Sequence, residues 1–131
     1  MALGLAPGIA QSILNALCRN VPWTQPPAFY IKLHTADPGV AGATAAFGDA
    51  TRQQATFAAA AADGTITTSA DVNWTNLSAA GTITHVSFWS ASSAGQFLGS
   101  DDLAVARTVA IGDNFTILAG DVDLSLAPVA A

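Results

Sequence analysis

Apolar positions recur at helical spacing only near the start of this chain, and beyond it they fall in short β-branched and aromatic runs separated by turn signals. Ile9, Ile13, Leu14 and Leu17 follow Pro7 and Gly8 along one helical face, and Asn20 with Pro22 stops the run, which predicts a short amphipathic helix. Val21-Pro22-Trp23-Thr24-Gln25-Pro26-Pro27 suits neither a helix nor a central strand and reads as an extended connector. Its Trp23 is placed either to cap the core or to anchor a partner.

From there the pattern is that of strands. Phe29 to His34 alternates cleanly, with Phe29, Ile31 and Leu33 on the buried face and Tyr30, Lys32 and His34 on the other. Asp37-Pro38-Gly39 turns the chain into a Gly- and Ala-rich loop, Val40 to Asp49, expected to be long and adaptable with only Phe47 fixed. Thr51 to Phe57 and Thr65 to Ser69 are expected strands around the Asp63-Gly64 turn. The alanines between them favour helix locally but are too few to nucleate one. Val72 and Trp74 begin another strand.

Beyond Ile83 four strands are expected: Ile83 to Trp89, Gln96 to Gly99, Thr108 to Ile111 and Phe115 to Leu126. Turns at Ser92 to Gly95, Asp101-Asp102 and Gly112 to Asn114 separate them. The predicted fold is mainly β, an antiparallel β-sandwich or jelly-roll with a short N-terminal helix. Residues 1–27, helix and Pro-rich connector, form a candidate attachment arm, and residues 28–131 a single β-sandwich domain.

Composition changes the picture in one respect. Of the 131 residues 51% are hydrophobic and only 10% charged, where a soluble domain carries about 25%. No apolar run reaches the roughly 18 residues of a spanning helix, so membrane insertion is not expected. Obligate interfaces are apolar and poor in charge, so a surface covered by neighbouring subunits explains the deficit, and a homo-oligomer or larger assembly is expected.

Arg19, Lys32, Arg52 and Arg107 face nine aspartates and no glutamate, for a net charge of −5. Four scattered cations make no phosphate-binding stripe, which argues against nucleic acid. Asp without Glu places the acids in turns, where a short carboxylate caps backbone N–H groups. The opening Met-Ala-Leu-Gly-Leu-Ala-Pro-Gly lacks the basic region and uninterrupted apolar run of a signal peptide, so use without Sec export is expected.

Candidate chemistry is sparse. Cys18 is the only cysteine, which precludes an internal disulfide, and it is expected to be a small buried hydrophobe. His34 is expected to be exposed or interfacial, and His85, sharing a face with Ile83 and Trp89, a hydrogen-bonded core histidine. No Gly-x-Ser-x-Gly elbow marks a nucleophile, the aspartates match no calcium loop, and Gly39, Gly42 and Gly48 make no phosphate loop. No catalytic residue, metal site or cofactor is expected, and the chain is expected not to be an enzyme. Asn73-Trp74-Thr75, Asn76-Leu77-Ser78 and Asn114-Phe115-Thr116 match the glycosylation pattern but are read as structural. The residues expected to meet partners are Ile9, Ile13, Leu14, Leu17 and Trp23.

Several segments carry a resemblance. Tyr30 to Gly39, with its Leu-His-Thr-Ala-Asp-Pro-Gly core, Arg52 to Phe57, Ile83 to Trp89, and the closing Gly112-Asp113-Asn114-Phe115-Thr116-Ile117-Leu118-Ala119-Gly120 follow the N-terminal helix in an order similar to small virion proteins of tailed bacteriophages. That family is labelled tail fibre, minor tail or head decoration protein. The resemblance implies a non-enzymatic structural subunit of the virion, assembled in the bacterial host cytoplasm. Its partners would be major capsid or tail proteins and its own copies, and a trimer is suggested by the resemblance alone. A receptor- or carbohydrate-binding module of the tail, with a host surface glycan as ligand, is the alternative; Trp23, Trp74 and Trp89 would then be exposed stacking platforms.

Overall fold

The computed structural model describes residues 4–125. The chain runs β1 (Gly4–Leu5), α1 (Pro7–Arg19), β2 (Tyr30–His34), β3 (Gln53–Gln54), β4 (Thr65–Thr67), β5 (Val72–Trp74), β6 (Gly81–Trp89), β7 (Phe97–Val109), β8 (Phe115–Ile117) and β9 (Asp123–Ser125). The fold is mainly β, with antiparallel sheets and one short helix, as the alternation predicts. Leu126, the expected end of the last strand, and the outer ends of the expected segments 1–27 and 28–131 lie outside the described residues.

One antiparallel sheet, in the order β1-β7-β6-β2-β3, forms the larger layer. The short pairs β4-β9 and β5-β8 form a second, sandwich-like layer. Ile31, Leu33, Ile83, Val86 and Phe88 from the first layer and Val72, Trp74, Phe115, Ile117 and Val122 from the second belong to one buried cluster. Tyr30↔Trp89 through His34↔His85 fixes β2 against β6, which sets Ile31 opposite Phe88 and Leu33 opposite Val86. A shift of one residue would turn these side chains out of the core.

Helix α1 begins where Pro7 fixes φ at N1, and it lacks a capping side chain. Its entry is held by the sheet instead: Leu5 pairs with Gly99, and the Ala6 N–H donates to the Leu98 carbonyl at 2.9 Å. It ends at Asn20, in the left-handed conformation, whose N–H returns to the Asn15 carbonyl. The start of the N-terminal segment is thus tied to the body: β1 joins the large sheet, and Ala6 and Ile9 belong to the core.

Several sequence expectations need correction. Asp101-Asp102 is no turn; β7 runs through it for 13 residues, because Asp101 folds its carboxylate onto the N–H groups of Asp102 and Asp123. The run from Phe115 breaks at Leu118 to Asp121, where Asp71 accepts the Ala119 N–H and Thr68 the Gly120 N–H, yielding β8 and β9. Thr51 to Phe57 shortens to Gln53–Gln54 plus one bridge from Phe57 to Thr68. The loop after Pro38 is pinned rather than adaptable: Thr44 N–H donates to Pro38 and Phe47 N–H to Leu33, and Ala46 bridges His34. Gly42, at φ 70°, lies against the Phe97 ring where a Cβ would stand 2.5 Å from it.

Candidate interaction surface

The sequence-predicted contact residues divide between two surroundings. Ile9 is buried, and Ile13 and Trp23 pack half-buried against the core. Leu14 and Leu17 are 59% and 79% exposed. The helix thus offers Ile9 and Ile13 to the sheet and Leu14 and Leu17 to solvent, because the apolar arc is wider than the stripe the sheet can cover. Cys18, expected to be buried, lies exposed beside Leu17. Val21, just past the helix, is a further apolar side chain at 40% exposure.

Where α1 and the Pro-rich connector leave the sheet, Leu5, Ile9, Ile13, Trp23, Pro26 and Phe29 line an apolar groove of about 420 Å³. The connector holds this groove open, since Pro22, Pro26 and Pro27 cannot join a helix or a ladder and keep the chain extended. Phe29 is fixed below by edge-on contact with Phe57 at 4.7 Å and by Phe88 at 4.9 Å. Trp23 therefore both caps the core and walls the groove. Leu5, Val21 and the groove itself escape the periodicity argument, because the sequence does not show that the N-terminal residues join the sheet.

The histidines exchange their expected surroundings. His34 is fully buried, not exposed, because the returning loop covers its face: Nδ1 donates to the Thr44 carbonyl at 2.9 Å and Nε2 lies 2.7 Å from Ser87 Oγ. Burial holds its imidazole below the ordinary 6.5, with Lys32 adding to the fall and the Thr44 bond opposing it. His85 is only half-buried, with Nδ1 at 2.8 Å from the hydroxyl of its neighbour Thr84. His34 and Ser87 make a serine–histidine contact, but both are sealed from solvent and the third position of a triad is taken by a backbone carbonyl. Among the described residues no group of three His, Cys, Asp or Glu side chains stands close enough to hold a metal ion.

The tryptophans are engaged. Trp74 is buried, its Nε1–H donating to the Thr51 carbonyl at 2.9 Å. One face of Trp89 is covered by the Arg52 guanidinium 4.2 Å above it, held by the Ala91 and Ala94 carbonyls, and its Nε1–H donates to Ser87. Of the three proposed platforms, Trp74 is buried, while Trp23 and Trp89 are half-buried, Trp23 along the groove and Trp89 beneath Arg52.

Among the described residues most aspartates cap backbone N–H groups, in turns or, for Asp101, inside β7. Asp37, Asp49, Asp63, Asp71, Asp101 and Asp113 each accept a backbone N–H. Asp49 accepts two, from Thr51 and Ser78, which hold its carboxyl below the usual range, the Ser78 bond most. The asparagines of the glycosylation-like triplets are likewise structural: Asn73 accepts the Thr116 hydroxyl across the β5-β8 pair, and Asn114 the Asn76 N–H.

No curated protein matches this chain. A protein-family comparison does, and over almost its whole length, with residues 5–125 aligned. The match takes in α1, the groove and both layers, and so the chain belongs to the family described as podophage GP4 fiber I protein gp80, a fibre family of tailed-phage virions.

Proposed function

We propose that this protein is a non-enzymatic structural subunit of a phage fibre that joins other virion proteins through the outer flank of α1 and the adjoining groove. The observation that carries this is the placement of Leu14 and Leu17 in solvent on a helix that Ile9, Ile13 and β1 lock to the sheet. A rigid helix presenting unpaired apolar side chains beside an apolar slot matches the helix-and-groove mode of protein recognition. Fibre position is favoured over capsid decoration by the family.

Low charge over the whole chain supports repeated contacts with copies of itself, with three copies suggested by the resemblance. The solvent-sealed His34–Ser87 pair supports a role without catalysis. The receptor- or carbohydrate-binding alternative draws mainly on Trp23, since Trp74 is buried and Arg52 occupies one face of Trp89.

The test is incorporation into particles. Phage lacking this gene product is assembled with the wild-type chain or with Leu14→Asp/Leu17→Asp, whose folding is checked by circular dichroism. The variant folds and is lost from purified particles; a folded variant present at wild-type occupancy refutes attachment through α1.

A further inference from the structure

Strand β7 has an unusual outer edge. On that side β1 pairs only with Gly99 and Ser100, so among the described residues no strand partners β7 from Asp101 to Val109. On its inner side the ladder to β6 jumps from His85↔Asp102 to Ile83↔Arg107, leaving Leu103, Ala104, Val105 and Ala106 opposite Thr84 alone. Ala104 to Thr108 are all exposed, Val105 at 71%. Edges are usually blunted by Lys, Pro or a charge at the apex of a bulge. This one carries Leu-Ala-Val-Ala, of which Leu103, Ala104 and Val105 share a small pocket with Phe115 and Ile117.

Charge flanks the apolar segment on both sides. Asp101 is half-buried, and the ionisable groups facing it are Asp102 and Asp123; burial first, and those two carboxylates after it, push its carboxyl up to about 6. Among the described residues Arg107 has neither a hydrogen bond nor an ion pair. A negative site short of a cation and a cation short of an anion thus stand on one strand edge.

We propose that two copies of this chain pair antiparallel along β7, centred on Ala104, so that Asp101 of each lies opposite Arg107 of the other and Leu103 opposite Val105. The proposal rests on the self-association reading and gives it a surface. A two-fold axis through an antiparallel pair stands perpendicular to the sheet and sets one residue opposite itself. Centring on Val105 would put Leu103 opposite Arg107, and centring on Leu103 would run Arg107 into the stretch β1 occupies. Only Ala104 joins both charge pairs, and opposite charges across a pair stabilise it while like charges oppose it. The even count this requires is met by a dimer or by trimers joined in pairs.

The experiment is the solution mass of the full chain by light scattering. Wild type has an even copy number, and Arg107→Asp, which sets Asp against Asp101 twice, has half the wild-type mass. Asp101→Lys, which sets Lys against Arg107 twice, is also halved, and an equal mixture of the two variants regains the full mass because both cross-pairs become complementary. Ala104→Cys in a Cys18→Ser background, cross-linked by a short bismaleimide, yields covalent dimers and tests the register even if Asp101→Lys fails to fold. An odd copy number, or an Arg107→Asp chain of unchanged mass, overturns the pairing but leaves self-association standing. A monomeric wild type overturns both.

Discussion

His34 Nε2 lies 2.7 Å from Ser87 Oγ, joining β2 to β6 beneath the loop that closes over them. The Thr44 carbonyl at Nδ1 can only accept, so the ring proton sits on Nδ1 and the Ser87 hydroxyl donates to Nε2. Ser87 also accepts the Trp89 Nε1–H at 2.8 Å, so this one hydroxyl serves two side chains. Ser87→Ala leaves a buried ring nitrogen without a donor and an indole N–H without its acceptor. The expected loss is about 2 kcal/mol of folding stability, read from the midpoint of a urea transition at unchanged slope.

His34 also gives stability a pH dependence of known sign. Its folded-state pKa lies below the unfolded 6.5, so the unfolded chain takes up the proton first as pH falls. The contribution is complete above 6.5 and is lost progressively below it, at up to about 1.4 kcal/mol per pH unit. Asp101 acts in the opposite sense: its raised pKa makes its contribution complete below 3.8 and lost as pH rises through about 6. The two windows overlap, so the test is a comparison. Between pH 7.5 and 5, wild type loses more melting temperature than His34→Gln does, although the variant starts lower.

Asp49 joins two loops by accepting Thr51 N–H on Oδ1 and Ser78 N–H on Oδ2. Asp49→Asn keeps one acceptor and turns an amide NH₂ toward the other donor, and Asp49→Ala removes both. Alanine should cost about 2 kcal/mol and asparagine a similar or smaller amount, measured by denaturation at pH 7. Because the native carboxyl is depressed, the penalty of either variant persists above 3.8 and shrinks as pH falls through the native pKa.

Gly99 is where β1 crosses closest to β7. A Cβ there would lie 2.5 Å from the Gly4 carbonyl oxygen, backbone that cannot step aside. Gly99→Ala should displace β1, release the start of α1 and raise amide exchange in α1 relative to β6. Gly8 in the first turn of α1 has open space around it, so Gly8→Ala should leave the exchange pattern unchanged and add up to about 1 kcal/mol.

Much of this fold follows from periodicity. The helix, its stop at Asn20, β2, β6 and the role of aspartate in turns all rest on local signals that the tertiary structure leaves intact. Alternation alone misplaces His34, because it reports which sheet face a residue occupies, and that second face is covered by Thr44 and its loop, a long-range contact. Asp101-Asp102 carries a turn composition, yet the Asp123 N–H from a distant strand lets the carboxylate stay inside β7. For the candidate surface, helical spacing marks Ile9, Ile13, Leu14 and Leu17 as one apolar arc. Where that arc divides between core and solvent depends on β1, two residues whose pairing no local pattern announces.

The attachment of α1 to the sheet has a mechanical meaning. Tension drawn along the helix of this fibre protein reaches the body through Gly4↔Ser100, Leu5↔Gly99, the Ala6-to-Leu98 hydrogen bond and the seated Ile9 side chain. So short a splice is the weakest link along that line of force. Under load the helix would peel from β7 before the longer β6-β7 ladder yields, leaving the sandwich intact with its N-terminal segment drawn out.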